Sequence, residues 1–304
     1  MPEEELLVIV EKKCQLPESY AKLLIRTVVD LKTKRSQMGG IFLGKHSLIT
    51  LRDLFRWAQR YSLAVSKYNE QCTDWKQYLA EQGLLILTCR CRSLQDVQTI
   101  HSSIQTVFSK QIDIKNLDNP QSLCEPIMNE LNRIVEASHK AISECNQLKN
   151  FVWTPTARRT ALLVAQAYKF NEPFLLVGET GIGKTTICQI LAHINKKSLH
   201  IMNCHMHSEA ADFLGSIRPV RTNSNVSNGN QLFEWQDGPL IWAMREGQDF
   251  LIDEISLADD SVLERLNSVL EDDRSLLVAE NVNSDESALI TAHSNFRIFA
   301  TMNE

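Results

Sequence analysis

With 304 residues, 43 % of them hydrophobic, the chain is long enough for two ordinary domains with a core in each, which excludes a disordered tail. Its net charge of −5 hides an asymmetry: residues 1–150 carry 20 basic and 17 acidic groups (+3), residues 151–304 carry 12 and 20 (−8). Neither half has the basic excess that tracks a phosphate backbone, which disfavours DNA or RNA as the main ligand.

Eight cysteines show no pair of paired clusters of the kind a structural zinc site needs. Cys89 and Cys91, flanking Arg90 in an apolar helical stretch with Arg92, read as core or surface thiols, and free thiols point to a reduced compartment, cytosol or nucleus. The Glu3-Glu4-Glu5 start is unlike a signal peptide. Apolar runs such as Leu6–Val10 and Leu84–Leu87 are too short to span a membrane.

Up to about residue 150 apolar residues recur at spacings of three and four, the period of a helix with one buried face. Leu16, Tyr20, Leu23, Leu24, Val28 and Leu31 make one such face. After a Gly39-Gly40 break, Leu51, Leu54, Phe55, Ala58, Tyr61 and Val65 make another. Further helices are expected over about 74–89, 94–108 and 127–145, with no strand run among them, so residues 1–150 read as an all-α domain.

From Phe151 short apolar strands alternate with helices, the pattern of a parallel sheet wrapped by helices. Thr154-Pro155 opens a helix, with proline in the first turn where a missing N–H costs nothing. Strands are expected at Phe174–Val177, Leu199–Asn203, Phe250–Ile252 and Phe296–Met302, and the Ser- and Asn-rich stretch Thr222–Asn230 as an exposed loop. Residues 151–304 are thus expected to form an α/β core.

Gly178-Glu179-Thr180-Gly181-Ile182-Gly183-Lys184-Thr185 fits the pattern G-x-x-x-x-G-K-[ST] between an expected strand and an expected helix, the context such a phosphate loop requires. Glycines let backbone N–H groups converge on phosphate oxygens and the helix N-terminus adds its dipole. Lys184 is expected to reach the β- and γ-phosphates of ATP and Thr185 to ligate Mg²⁺, with Thr186 completing the cradle. The expected strand 250–252 runs into two carboxylates, Asp253 and Glu254. Asp253 would hold the Mg²⁺ hydration shell and Glu254 would deprotonate the attacking water. Asn303, at the carboxyl end of the last strand, lies where open α/β sheets place ligand-contacting groups. There it would sense the γ-phosphate or position the water; a turn-forming asparagine is the plainer alternative.

These elements, in this order, resemble the AAA+ ATPases. Asn203, Glu209–Gly215, Phe233–Leu240, Ala243–Gly247 and Leu263–Glu271 look like the branch that holds the midasin, dynein and MoxR families, which carries an insertion in its second helix. Arg158–Ala167 ahead of the phosphate loop, with Asn203-Cys204-His205 and Asp212–Gly215 after it, are most similar to the midasin family. Leu51–Trp57 resembles the lid helix that supplies a sensor-2 arginine, which makes Arg52 the candidate for serving the preceding module's nucleotide; a solvated arginine is the other reading. His205 and His207 have no role in that family and read as exposed.

The resemblance implies one module's lid followed by the next module's core, up to its sensor-1 strand, in a tandem ring. It implies Mg-ATP hydrolysis coupled to removing assembly factors from pre-60S ribosomal particles in nucleolus and nucleoplasm, with adjacent modules and those factors as partners. It also implies that this stretch alone, without a neighbour's arginine, turns over ATP very slowly. A module that binds nucleotide to hold the ring together and hydrolyses little is the alternative. A dynein-like motor segment is weaker, because no stalk or linker signature is present.

Overall fold

The computed structural model describes residues 3–37, 49–67, 72–91, 93–112, 125–144, 151–219, 233–280 and 289–303. The Gly39-Gly40 break, Arg92 and the Thr222–Asn230 loop lie outside the described residues. The chain forms two compact units. One comprises residues 1–133 and 153–163; the other comprises 134–152 and 164–304.

The first unit is helical. Helices α1 (Glu3–Cys14), α2 (Glu18–Gln37), α3 (Leu51–Ser66), α4 (Trp75–Thr88) and α5 (Leu94–Phe108) pack on one another. The last three start at capping side chains. The Asp53 carboxylate accepts the backbone N–H and the hydroxyl of Thr50 at 2.8 Å each, closing the first turn of α3. Asp74 caps α4 by accepting from the N–H groups of Lys76 and Gln77, and Ser93 caps α5 through Gln95. Helix α4 is buried on every side from Tyr78 to Thr88, and the polar side chains in that stretch are paired: Glu81 accepts from Gln77, Gln82 accepts from Arg60 and the Thr88 hydroxyl donates to Leu84 O.

Its closest approach to α3 is set by Gly83. A Cβ there would fall 2.1 Å from Cζ2 of Trp57, so only glycine admits the fully buried indole, whose Nε1–H donates to Leu79 O at 2.8 Å. No described helix is long and apolar enough to cross a membrane.

The second unit is built on a four-stranded parallel sheet in the order β1 (Phe174–Val177), β8 (Arg297–Met302), β5 (Asp249–Asp253), β2 (Leu199–Asn203). The strands match the sequence expectation within a residue. The two central strands read as near-continuous apolar runs because both faces are covered. Phe250, Ile252, Ile298 and Ala300 join one core, with α10 (Pro239–Glu246) and α11 (Asp260–Leu270). Leu251 and Phe299 join Tyr168 and Cys188 on the other face, where the rings of Phe174 and Phe299 stack at 4.8 Å.

The buried acid at the start of β5 is the exception. Asp249 is fully buried and accepts the Tyr168 hydroxyl at 2.9 and 3.1 Å and Lys197 Nζ at 3.2 Å. Burial raises the carboxyl above its usual range and lowers the Lys197 ammonium.

Two antiparallel hairpins, absent from the sequence expectation, project from this framework. One is β3 (Gly215–Pro219) with β4 (Phe233–Asp237), entered through the short helix α9 (Ala210–Leu214); the other is β6 (Ser275–Leu277) with β7 (Leu289–Thr291).

Candidate nucleotide site

Parallel register brings four segments to the same end of the sheet. Val177 pairs with Met302, Ile252 with Ala300 and Asn203 with Asp253, so the loop after β1 and the acids and amide ending β5 and β8 converge. This is the carboxyl edge, where open α/β sheets bind ligands.

The loop leaves β1 at Gly178 and enters α8 (Lys184–Ile194) at Gly183, which caps that helix. Gly181 and Gly183 have φ of 88° and 87°, left-handed conformations that a side chain would strain. Those two turns carry the backbone round from β1 to the N-terminus of α8, where exposed backbone N–H groups and the helix dipole favour an anion. The three protons of the Lys184 ammonium all find acceptors: Gly178 O at 2.7 Å, Glu179 O at 2.8 Å and Asn303 Oδ1 at 3.0 Å. A single lysine thus ties the loop to the end of β8.

Thr185 Oγ1 donates to the Asp253 carboxylate, 3.2 Å from Oδ1 and 3.4 Å from Oδ2. A hydroxyl and a carboxylate facing each other on α8 and β5 are hard oxygen donors of the kind Mg²⁺ takes alongside phosphate and water, so the residues present fit that ion. Glu254, the next residue, has φ 56° and ψ 45°. A left-handed glutamate costs on the order of 1 kcal/mol and persists only where its surroundings hold it. Here they do. Its N–H donates to Thr301 Oγ1 at 3.2 Å, and its Oε1 accepts from Asn303 Nδ2 at 3.1 Å.

The structure therefore brings together Lys184, Thr185, Asp253, Glu254 and Asn303, all named from the sequence. Thr186 opens α8 beside them, half-buried, while Thr180 and Ile182 lie exposed on the loop. Asn303 makes side-chain contacts to both the lysine and the second acid, which a turn asparagine would not. Thr301, fully buried on β8, was not singled out. Its hydroxyl donates to the Asp253 carboxylate and accepts the backbone N–H of Glu254, and the hint in the sequence is a polar residue at the closing end of an apolar strand.

Arg52 belongs to the helical unit, exposed in the first turn of α3. The adjacent Asp53 is committed to Thr50 and to Arg90, whose Nη2 lies 2.6 Å away. His205 and His207 are exposed, with His205 Nδ1 accepting the His207 N–H at 3.2 Å. Burial pushes the Cys204 and Cys91 thiols up to about 11, and Asp253 adds to the effect at Cys204.

A strand, a glycine-turned loop leading into Lys184-Thr185, an amide on the adjacent strand and an acid pair on the strand beyond it define a P-loop nucleotide-binding module of the AAA+ class, here with a helical lid domain. A family profile described as "AAA domain (dynein-related subfamily)" matches residues 173–304, and one described as "Midasin AAA lid domain" matches residues 5–111. The chain belongs to the midasin family of AAA+ proteins. It is 36 % identical to midasin of Dictyostelium discoideum over its whole length and 33 % identical to midasin of Giardia intestinalis over 99 % of it. It spans only 6 % and 7 % of those two proteins. An uncharacterized protein of Staphylococcus epidermidis is 34 % identical over 45 % of this chain and 49 % of its own length.

Proposed function

We propose that the α/β unit binds ATP with Mg²⁺ and hydrolyses it. The observation that carries this reading is the Asn303 side chain, which bonds Lys184 Nζ and Glu254 Oε1 at once and so links the phosphate-binding lysine to the acid that would act on water.

In this reading the backbone of Gly178–Thr185 cradles the phosphates and Lys184 offsets charge on the β- and γ-phosphoryl oxygens. Thr185 and Asp253 would hold Mg²⁺, which neutralises charge on those oxygens. Glu254 takes the proton as water attacks the γ-phosphorus in line, and the bond to the bridging oxygen breaks to release ADP. An arginine from an adjacent module stabilises the developing charge, and Arg52 serves the nucleotide of the preceding module.

At the level of the assembly, the proposed role is in a tandem ring that removes assembly factors from pre-60S particles in nucleolus and nucleoplasm. The similarity to midasins supports it.

Two substitutions separate the parts. Asp253→Ala should abolish the Mg²⁺-dependent gain in ATP affinity measured by calorimetry. Glu254→Gln should bind as the unmodified chain does and, within the full ring that supplies the adjacent module's arginine, fail to convert ATP at this site in single-turnover assays. Equal loss of affinity in both variants would overturn the assignment of roles. Conversion unaffected by Glu254→Gln would favour a base other than Glu254.

A further inference from the structure

The contacts of Thr301 are more specific than a strand interior requires. Its side chain is fully buried on β8, one residue past Ala300, which pairs with Ile252 of β5. Alternation along β8 sends Ile298 and Ala300 to one face and Phe299 to the other, so Thr301 shares the Phe299 face. Its hydroxyl has one proton, which it donates to Asp253 Oδ1. The same oxygen accepts the backbone N–H of Glu254 at 3.2 Å. Both partners lie on the neighbouring strand's end, 48 and 47 residues away in the chain.

We infer that Thr301 is a positioning residue for the acid pair, orienting the Asp253 carboxylate toward Mg²⁺ while holding Glu254 in its left-handed turn. The inference rests on the Mg-ATP reading above and deepens it.

The direction of the two bonds carries the argument. Because the hydroxyl proton is committed to Asp253, Thr301 meets the Glu254 N–H as an acceptor, so one oxygen serves both residues. The Asp253 carboxylate then receives hydroxyl protons from two sides, Thr301 on β8 and Thr185 on α8. Thr185 Oγ1 is itself placed to ligate Mg²⁺. With Thr185 engaged by the ion, Thr301 would be the hydroxyl left to hold the orientation of the Asp253 carboxylate. Groups that hold a metal site's carboxylates are typically worth about 10–100-fold in metal affinity or activity. A purely structural threonine would contribute stability and leave that affinity untouched.

The test titrates Mg²⁺ against a fluorescent ATP analogue bound to the full chain, for the unmodified chain, Thr301→Val, Thr301→Ser and Asp253→Ala. Thr301→Val keeps volume and branching but removes both bonds. It should shift the Mg²⁺ midpoint about 10-fold or more toward the Asp253→Ala behaviour. Affinity for the analogue without Mg²⁺ should stay unchanged, which also shows that the variant is folded. Thr301→Ser, which restores the hydroxyl, should return the midpoint to within about threefold of the unmodified chain's, well inside that shift. If Thr301→Val melts before binding is measured, the pair Thr301→Ala and Thr301→Ser makes the same comparison at smaller volume.

An unshifted midpoint in a folded Thr301→Val or Thr301→Ala overturns the inference, as does a Thr301→Ser midpoint as displaced as that of the variant without a hydroxyl. Absence of Mg²⁺-dependent binding in the unmodified chain overturns the nucleotide reading itself, and the two failures are told apart in the same titration.

Discussion

The two units solve the same problem, fixing a few side chains against the entropy of the chain, with partners drawn from different ranges of sequence. In the helical unit two buried contacts join α3 to the next helix, Trp57 donating to Leu79 and Arg60 to Gln82, both 22 residues on, while α2 meets α5 through Lys34 and Ser103, 69 residues apart. In the α/β unit the decisive contacts join elements far apart. Lys184 reaches Asn303 across 119 residues and Tyr168 reaches Asp249 across 81. Local packing yields a core; parallel pairing gathers chemistry at one sheet edge, because every strand delivers its carboxyl end to the same side. A defect in the first should thus be read as lost stability. A defect in the second divides into lost stability at one end of the sheet and lost binding at the other.

The largest expected effect breaks the helical side of that contrast. Trp57→Ala removes a fully buried indole and should cost about 3–5 kcal/mol by denaturant unfolding. Gly83→Ala attacks the same contact from the other helix by overpacking and should cost about 1–3 kcal/mol. A neutral Gly83→Ala would show that α3 and α4 approach less closely than described.

Next in size is the end of the sheet away from the phosphate loop. Tyr168→Phe deletes the hydroxyl that Asp249 accepts and should cost about 1.5–3 kcal/mol, leaving nucleotide affinity unchanged. Because burial holds the Asp249 carboxyl above its unfolded value, its contribution to stability falls as pH rises from the usual carboxylate range through the raised value. Asp249→Asn should flatten that part of the pH–stability profile. A profile identical in Asp249→Asn would count against a shifted carboxyl at this position.

The same contrast explains what could be read from the sequence. The phosphate loop was legible because its signal is local: two glycines, the lysine and the threonine lie within a few residues, between a strand and a helix. Asp253 and Glu254 were legible because acids ending an apolar strand are conspicuous. Helix α1 is absent from the sequence expectation, although Leu6, Val10 and Cys14 recur at helical spacing and the acids and lysines sit at opposite ends as the helix dipole favours. The hairpin β6–β7 was missed because three-residue strands carry almost no alternation to detect. That of β3–β4 was missed because its halves flank a long polar stretch. Thr301 was invisible for another reason: threonine is an ordinary strand former, and its role exists only once β8 lies beside β5.

The central claim, that parallel register assembles a nucleotide site around Lys184, is tested most directly by calorimetric titration of Mg-ATP into the chain and its Lys184→Ala variant, with melting curves for both. The account predicts saturable binding to the unmodified chain, a higher melting temperature with ligand, and at least a tenfold loss of affinity in a folded Lys184→Ala, about 1.4 kcal/mol. Equal affinity in the two proteins, or no thermal shift in a folded unmodified chain, would contradict it.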